Sequence, residues 1–231
     1  SIFDVAAEIT DKGGKAFAVK CDVRSESDIK STVEKCLETF GHLDVAVYNA
    51  GAVLWKKVIE TPLRRWDLMN EVNARGSYCM IQEVLPNMLE HKHGRLILVC
   101  PPIYNRFFKG KTPYSMTKVA MSVLVHGVSI SGIWPATVIE SQVTTVQNVP
   151  PSQMRKATIF ADACLGISEE KTEKLNGKVL IDEDYLRSEG VTDFVKYRCD
   201  PDHEPDRMMP KKFPSLFVEE ELAGLTVESK L

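Results

Sequence analysis

The sequence LDVAVYNAG spans residues 43–51 and contains the pattern that decides the fold. Residues 43–48 form an apolar run broken only by Asp44, which predicts a strand buried in a parallel sheet. The preceding residues 28–40 place apolar side chains at helical spacing, and Gly41 ends that helix. A helix followed at once by a buried strand is typical of an α/β protein.

The same alternation continues in both directions from this stretch. Apolar periodicity predicts helices at residues 2–11, 28–40, 63–91, 113–127 and 158–168, and strands at 16–21, 43–48, 95–100, 129–134 and 178–181. We expect a bend or break near Pro86 in the long helix and a capping box formed by Ser25 and Asp28. The sequence therefore predicts an α/β domain with a doubly wound parallel sheet at residues 1–198, followed by an extended, Pro- and charge-rich tail at 199–231.

Composition and charge exclude several classes of function. The 231 residues are 44% hydrophobic and 26% charged, which suits one globular domain with a sizeable core. A net charge of −3 supplies no large basic field for nucleic acid. The sequence contains no run of 18 apolar residues, the length that a membrane span requires. The six cysteines are scattered without a C-x-x-C pair, which predicts buried free thiols, a reducing compartment and no metal site.

The chain ends in Ser229-Lys230-Leu231, which matches a C-terminal signal read by the peroxisomal import receptor. Residues 201–214 before it hold four prolines and many charges, which predicts an extended, accessible strap. We therefore expect the import receptor as a partner and the peroxisome as the compartment, with the cytoplasm as the alternative. Met208 and Met209 are expected to pack this strap onto the body, the alternative being contact with an apolar substrate.

Tyr114 and Lys118 carry the strongest chemical signal. Their i, i+4 spacing places a phenol and an ammonium on one face of the predicted helix at 113–127. A nearby cation favours the phenolate and lowers the pKa of a tyrosine. The pair is therefore a candidate general acid/base near neutral pH.

The order of several short motifs resembles the short-chain dehydrogenase/reductase family. The motifs are Asp22-Val23, Asn49-Ala50-Gly51, Val72-Asn73, Tyr114 with Lys118, and Pro135, and the resemblance covers roughly residues 1–185. Residues 72–76, Pro101-Pro102 and 133–137 are similar to the hydroxysteroid dehydrogenase-like protein 2 group within that family. The resemblance implies a Rossmann-like sheet, with ligands bound outside the carboxyl ends of its strands.

The resemblance also implies a role for each matching residue. Tyr114 would give and take the proton at the substrate oxygen, and Lys118 would lower the Tyr114 pKa and bind the nicotinamide ribose. Asn73 would hold a water that links Lys118 to solvent; from the residues alone, a backbone clamp or a tolerated polar residue stays open. The residues implied to contact the cofactor are Asp22 and Val23 at the adenine, Asn49, Ala50 and Gly51 along its length, Tyr114 and Lys118, and Pro135 and Thr137 near the nicotinamide.

These roles imply an oxidoreductase that uses NADP or NAD. It would transfer hydride reversibly at an alcohol or ketone of a lipid-like substrate, and it would associate as a homo-oligomer, as family members commonly do. Two alternatives stay open at this point. One is a catalytically inactive lipid-binding or interaction protein, and the other is a peroxisomal enoyl-coenzyme A reductase of the same fold.

Three features depart from the family pattern. No G-x-x-x-G-x-G phosphate loop occurs in the sequence, so the N-terminal βαβ portion that carries it is expected to be missing. Cys100-Pro101-Pro102 stands where the family has a catalytic serine, which leaves Tyr114 alone, or another group such as Tyr104, to polarise the substrate oxygen. Lys118 and Pro135 are only 17 positions apart (135 − 118), a join that we expect to shorten the helix near Gly127.

Overall fold

The computed structural model describes residues 1–216, except for the side chain of Thr172. The strands within this range are β1 (Val45–Tyr48), β2 (Arg95–Val99), β3 (Ser131–Trp134), β4 (Val138–Ile139), β5 (Met154–Arg155) and β6 (Lys178–Ile181). The helices are α1 (Ile2–Asp11), α2 (Glu26–Phe40), α3 (Leu63–Met69), α4 (Gly76–His91), α5 (Thr112–Val128), α6 (Gln142–Val146), α7 (Thr158–Glu169), α8 (Thr172–Leu175) and α9 (Asp182–Ser188). Short 3₁₀ turns occur at Val58–Glu60, Asn105–Phe108, Pro151–Gln153 and Val195–Tyr197.

The central sheet has the strand order β1-β2-β3-β6, and all its neighbours are parallel. Side chains of β2 alternate between its two faces, as the period of two in a strand requires. Leu96 and Leu98 pack in one core cluster with Val84 and Met121, from α4 and α5. Ile97 packs in a second cluster on the other face, together with residues of α7 and α9. The predicted α/β fold with helices on both faces of a parallel sheet is therefore confirmed.

The strand predicted at residues 16–21 is wrong. The segment has no regular secondary structure, and no strand within residues 1–216 pairs with it, so it gains no ladder hydrogen bonds. The outer edge of β1 is likewise unpaired among the described residues, and Val45 and Val47 are 41% and 45% exposed there. Phe17 of this segment instead stacks on Phe40 at the end of α2, with ring centroids 5.6 Å apart.

Of the bend or break predicted near Pro86, the break is wrong, because α4 runs through this proline to His91, and the bend stays a prediction. The irregularity in the long helix lies earlier, in a π-helical segment at Asn70–Arg75 between α3 and α4. The amide of Gly76 donates to the carbonyl of Glu71, the i to i+5 spacing of a π turn. The hydroxyl of Tyr48 donates to the backbone carbonyl of Val72, so a buried side chain from β1 binds the irregular turn.

Two local predictions about helix ends come out differently. Ser25 caps α2 by accepting from the amide of Asp28 over 3.3 Å, but the box is half formed, since Asp28 Oδ2 accepts from the amide of Asp22. Helix α5 ends at Val128, within one residue of the predicted end at Gly127, and its shortening relative to the family stays a prediction. The helix is closed by Ser129, whose φ of 55° lies in the left-handed region.

Residues 199–216 contain neither a helix nor a strand. The division between a domain at 1–198 and a tail at 199–231 stays a prediction. The predicted import signal Ser229-Lys230-Leu231 lies outside the described residues. None of the helices within residues 1–216 combines the length and apolar character that a membrane crossing requires.

Candidate active site

The site lies where β1, β2 and β3 end, because parallel strands place their carboxyl ends at one edge of the sheet. The loop that starts at Asn49 follows β1, the loop that starts at Cys100 follows β2, and the loop at Pro135 follows β3. Helix α5 carries Tyr114 and Lys118 and places both at this edge. The segments carrying these predicted residues therefore converge.

Asn73 clamps two of these elements together from the π-helical segment. Its side chain is fully buried; Oδ1 accepts from the amide of Ala52 over 2.8 Å, and Nδ2 donates to the carbonyl of Ala52 over 2.9 Å. Nδ2 also donates to Thr117 Oγ1 over 2.9 Å. The amide thus holds both backbone groups of one loop residue after β1 and joins them to α5. This is the backbone clamp that sequence reasoning left open; the water-holding role stays a prediction.

Lys118 is buried and turned toward the end of β2. Its Nζ donates to the carbonyl of Val99 over 2.9 Å, and burial lowers the pKa of Lys118 to about 8. A Cβ added at Gly51 would lie 3.6 Å from this ammonium and 3.6 Å from Asn73 Oδ1. Gly51 therefore lies directly over the Lys118–Asn73 pair, and its missing side chain leaves room there.

Tyr114 is 7% exposed and packs against Phe107, with ring centroids 6.4 Å apart. Burial raises the pKa of Tyr114 well above its ordinary value. The lowered pKa that we expected from Lys118 is therefore a wrong prediction for this structure. Desolvation dominates at Tyr114, while the Lys118 ammonium is occupied by the carbonyl of Val99. At neutral pH the phenol carries its proton.

The wall around Tyr114 is apolar. Met69, Phe107 and Tyr114 form a buried cluster. Partly buried side chains pack against it from Ala52, Val53, Leu54, Tyr104, Phe108, Val119 and Trp134. The ring of Trp134 meets Phe107 edge-on at 5.7 Å, and Lys118 Nζ lies 5.8 Å from the Trp134 ring. Neither Phe107 nor Trp134 was predicted as a site residue, although an aromatic residue at the end of a buried strand was a usable signal.

No strong hydrogen-bond donor stands at the serine position expected after β2. Cys100 is completely buried, and burial raises the pKa of its thiol to about 12. The carbonyl of Pro101 accepts from Ser122 Oγ over 2.6 Å, so the loop is tied to α5. Tyr104, the suggested replacement, donates its hydroxyl to Met209 Sδ over 3.3 Å. A different buried donor does lack a partner among the described residues, namely Trp134 Nε1.

The loop after β3 is held by a residue that the sequence analysis missed. Asp182, the first residue of α9, accepts from the amide of Ala136 over 2.8 Å and from the amide of Glu183 over 2.6 Å. Burial raises the pKa of Asp182 to about 6. The contact fixes the backbone between Pro135, which is half-buried, and Thr137, which is buried. An acidic residue directly after a buried strand was the available signal.

Asp22 and Val23 lie beside the start of α4. Asp22 is exposed and binds the Arg24 side chain, which lowers the pKa of Asp22 to about 2. Val23 packs against the core between the sheet and α4, and its carbonyl would lie 2.8 Å from a Cβ added at Gly76. An open cleft of about 270 Å³ is lined here by Asp22, Arg24, Ser25, Glu71 and Arg75. Asn49 is exposed and Ala50 half-buried on the loop after β1.

These residues fit one end of a nicotinamide dinucleotide. The glycine at position 51, the buried ammonium of Lys118 and the unpartnered Trp134 Nε1 provide space, charge and a donor at the carboxyl edge of the sheet. The sequence contains no G-x-x-x-G-x-G loop for the pyrophosphate end. Among residues 1–216, no three His, Cys, Asp or Glu side chains are placed to hold a metal ion.

Comparison with known proteins agrees with this geometry. The family model of the short chain dehydrogenases matches residues 2–133. The chain is 34% identical to hydroxysteroid dehydrogenase-like protein 2 of Danio rerio over 215 residues, which cover 88% of this chain and 52% of that protein. It is 32% identical to the Homo sapiens protein of the same name over 244 aligned positions, which cover 100% of this chain and 58% of that protein. The chain thus spans about half the length of the curated relatives it matches.

A solved structure shows the same fold. A short chain dehydrogenase from Mycobacterium thermoresistibile superposes with a TM-score of 0.82 at 30% sequence identity. The superposition covers 90% of this chain and 78% of that one. The family and the Rossmann-like fold predicted from the ordered motifs are both confirmed. The chain therefore belongs to the short chain dehydrogenase family.

Proposed function

We propose that the protein is an NAD(P)-dependent oxidoreductase that transfers hydride reversibly at an alcohol or ketone of a lipid-like substrate. The observation that carries this proposal is the convergence of Tyr114, Lys118 and Asn73 beside Gly51 at the carboxyl edge of the sheet. Family membership supports the reaction type. A nicotinamide cofactor supplies or accepts the hydride when bound, and the chain supplies orientation and a proton.

Tyr114 is the group that exchanges the proton with the substrate oxygen. Its raised pKa keeps the phenol neutral, and a neutral phenol is the form that can protonate an oxygen as negative charge develops. Lys118 titrates near neutrality because its pKa falls to about 8, so it can take part in returning that proton to solvent. Asn73 keeps the loop after β1 and α5 in register, which sets the position of both groups.

The surroundings of Tyr114 favour an apolar substrate. The wall is built from aromatic and aliphatic side chains, with Phe107 and Met69 buried and Leu54 and Trp134 partly buried. Burial of a hydrocarbon chain against such a surface removes apolar area from water and is favourable. The unpartnered Trp134 Nε1 could bind a substrate oxygen, which would offset the lack of a donor at Cys100.

The first experiment tests the cofactor. The purified 231-residue chain is titrated with NADH and with NADPH while nicotinamide fluorescence is followed, and both nucleotides are proposed ligands. Saturable binding at micromolar concentration supports the proposal. If neither nucleotide binds, the proposed function is wrong for this chain.

The second experiment tests the proton donor. Turnover of apolar ketones such as 2-decanone is measured with Tyr114→Phe, and Tyr78→Phe is the matched control because Tyr78 is 52% exposed on α4. We expect Tyr114→Phe to lower kcat by about 10²–10⁴ and Tyr78→Phe to leave it unchanged. Intact turnover in Tyr114→Phe would overturn the assigned role.

A non-catalytic lipid-binding or interaction protein is the second candidate function. The apolar wall around Tyr114 and the lack of a strong hydrogen-bond donor at Cys100 favour this alternative. Binding of a fluorescent fatty acid without any binding of NADH or NADPH would select it. Enoyl-thioesters belong in the same substrate screen, since activity on them but not on ketones would select an enoyl-coenzyme A reductase.

We also propose that the import receptor reads Ser229-Lys230-Leu231 and delivers the protein to the peroxisome. A fluorescent protein fused to residue 1 should become punctate in cells, and deletion of Leu231 should leave it in the cytoplasm. Self-association is a further proposal, which light scattering of the purified chain tests.

A further inference from the structure

The strap at residues 201–214 is fastened to the body by charged groups near its start. Glu204 binds the guanidinium groups of both Arg155 and Arg198, and the Arg155 side chain is 1% exposed. Arg155 also binds Glu183 on α9 over 3.1 Å. Charge-assisted hydrogen bonds of this kind hold a segment firmly when one partner is buried. The strap is therefore seated on α9 and β5 rather than free.

Arg207 fixes the middle of the strap. Its two terminal nitrogens donate to the two carboxylate oxygens of Asp184 over 2.7 and 2.6 Å, a bidentate pair. The same guanidinium donates through Nε to the carbonyl of Met209 over 2.7 Å and through Nη2 to that of Pro210 over 3.2 Å. One side chain thus sets the backbone of Met209 and Pro210 relative to α9.

The strap and α9 together hold the loop after β3. The amides of Met208 and Met209 donate to the carbonyl of Ala136 over 2.8 and 3.2 Å. The amide of Ala136 donates to Asp182 Oδ1 over 2.8 Å. Ala136 is 1% exposed, and both of its backbone polar groups are bound, one by the strap and one by α9.

The strap also contacts the apolar wall of the site. Met209 is 7% exposed, and its sulfur accepts from the Tyr104 hydroxyl. The ring of Phe213 meets that of Tyr104 edge-on at 5.4 Å. Tyr104 and Trp134 belong both to the cluster around Met209 and to the cluster around Tyr114. The strap is therefore continuous with the wall against which an apolar substrate would lie.

We propose that Arg207 is a positioning residue for substrate specificity. Arg207 fixes the backbone of Met209, whose amide binds the carbonyl of Ala136 and whose sulfur accepts from Tyr104. It thereby sets the shape of the wall formed by Tyr104 and Trp134. This inference rests on the proposed function for the identity of the substrate, an apolar alcohol or ketone. Its physical core, the control of the wall by the strap, can be measured without turnover.

The inference separates two groups of residues by their contacts. Tyr114, Lys118 and Asn73 are held by Phe107, Val99, Ala52 and Thr117, and none of these contacts involves the strap. Loss of Arg207 should therefore change how an apolar substrate fits rather than how the proton moves. We expect Arg207→Gln to raise KM for 2-decanone about tenfold and to change kcat less than about twofold.

The structural test compares Arg207→Gln with Arg198→Gln, a closely matched control. The two arginine side chains are 20% and 22% exposed, and each pairs with a carboxylate, but Arg198 binds only the start of the strap and not the Met209 backbone. Hydrogen–deuterium exchange at the amides of Met208 and Met209 gives the first readout. Emission of Trp134, in a Trp55→Phe/Trp66→Phe background, gives the second.

We expect Arg207→Gln to speed exchange at these amides at least tenfold and to shift Trp134 emission to the red, and Arg198→Gln to do neither. Asp184→Asn, which weakens the same pair from α9, should reproduce Arg207→Gln, and Arg207→Lys should recover part of the protection. Equal effects of Arg207→Gln and Arg198→Gln, or unchanged Trp134 emission in Arg207→Gln, would overturn the inference. If no variant turns over a ketone, the proposed function fails, while exchange and emission still decide the role of Arg207.

Discussion

Asn73 Nδ2 donates to Thr117 Oγ1 across 2.9 Å and so joins the π-helical segment to α5 within one turn of both Tyr114 and Lys118. The same side chain holds the amide and the carbonyl of Ala52. The loop that follows β1 and the helix that carries the acid/base pair therefore share one anchor.

Replacement of Asn73 by Ala should be strongly destabilising. It leaves both backbone groups of the partly buried Ala52 without their side-chain partner, and we expect a loss of about 2–4 kcal/mol in the free energy of unfolding. Thr117→Val, which removes one of the three bonds, should cost less. Urea denaturation measures both variants, and Asn105→Ala serves as the control because Asn105 is exposed. A loss in Asn73→Ala no larger than in Asn105→Ala would contradict the clamp.

Gly51→Ala should leave stability nearly unchanged, whereas Gly76→Ala should lower it. A Cβ at Gly51 would meet Lys118 Nζ and Asn73 Oδ1 at 3.6 Å, an ordinary contact, so stability should change by less than about 0.5 kcal/mol. The methyl group would occupy space beside the ammonium, and we expect weaker NADH binding. A Cβ at Gly76 would lie 2.2 Å from the Tyr48 hydroxyl and 2.8 Å from the carbonyl of Val23, so this variant should unfold at lower temperature. Thermal melts and NADH titrations distinguish the two.

Lys118 should make stability rise with pH in the alkaline range. Burial lowers its pKa from 10.5 to about 8, so between these values the unfolded chain binds more protons than the folded one. Folding is therefore favoured increasingly as pH rises from 8 to 10.5, by up to about 3 kcal/mol from this group. Lys118→Met should remove this rise and should be more stable than the unaltered chain at pH 7. The pH-dependent stability is measured as the difference in urea midpoint between the two proteins from pH 7 to 10.5. A difference that is constant with pH would refute the lowered pKa of Lys118.

Asp182 should act in the opposite direction in the acid range. Its pKa rises from 3.8 to about 6, so between these values the folded chain binds more protons, and stability from this group falls as pH rises through that window. Asp182→Asn keeps an oxygen that can accept from the amides of Ala136 and Glu183, and it should abolish this dependence with little loss at pH 7. Asp182→Ala removes the acceptor, leaves the amide of Ala136 unpaired and should be destabilising at every pH. Unfolding curves at pH 4, 5, 6 and 7 compare the three proteins, and identical pH dependence in all three would contradict the prediction.

Much of the site was predictable because it depends on local spacing. The helical period around Tyr114 and Lys118 placed both on α5, and Asn73 stood out as a poor helix former inside a long helix. The order of these motifs along the chain was sufficient to indicate the family. The direction of the Tyr114 pKa was not predictable, since it depends on burial beneath Phe107 and the rest of the apolar cluster.

The sequence by itself determined the elements that depend on chain direction and on the local period of apolar residues. Apolar runs specified β1, β2 and β6, and helical periodicity specified α1, α2 and α7, with Ser25 as the cap of α2. Tertiary structure alone decided which extended segment became a strand, because a strand needs a neighbour and residues 16–21 have none among the described residues. It alone also brought Asp182, Met208 and Met209 to Ala136, since contacts between distant residues leave no periodic trace in a sequence.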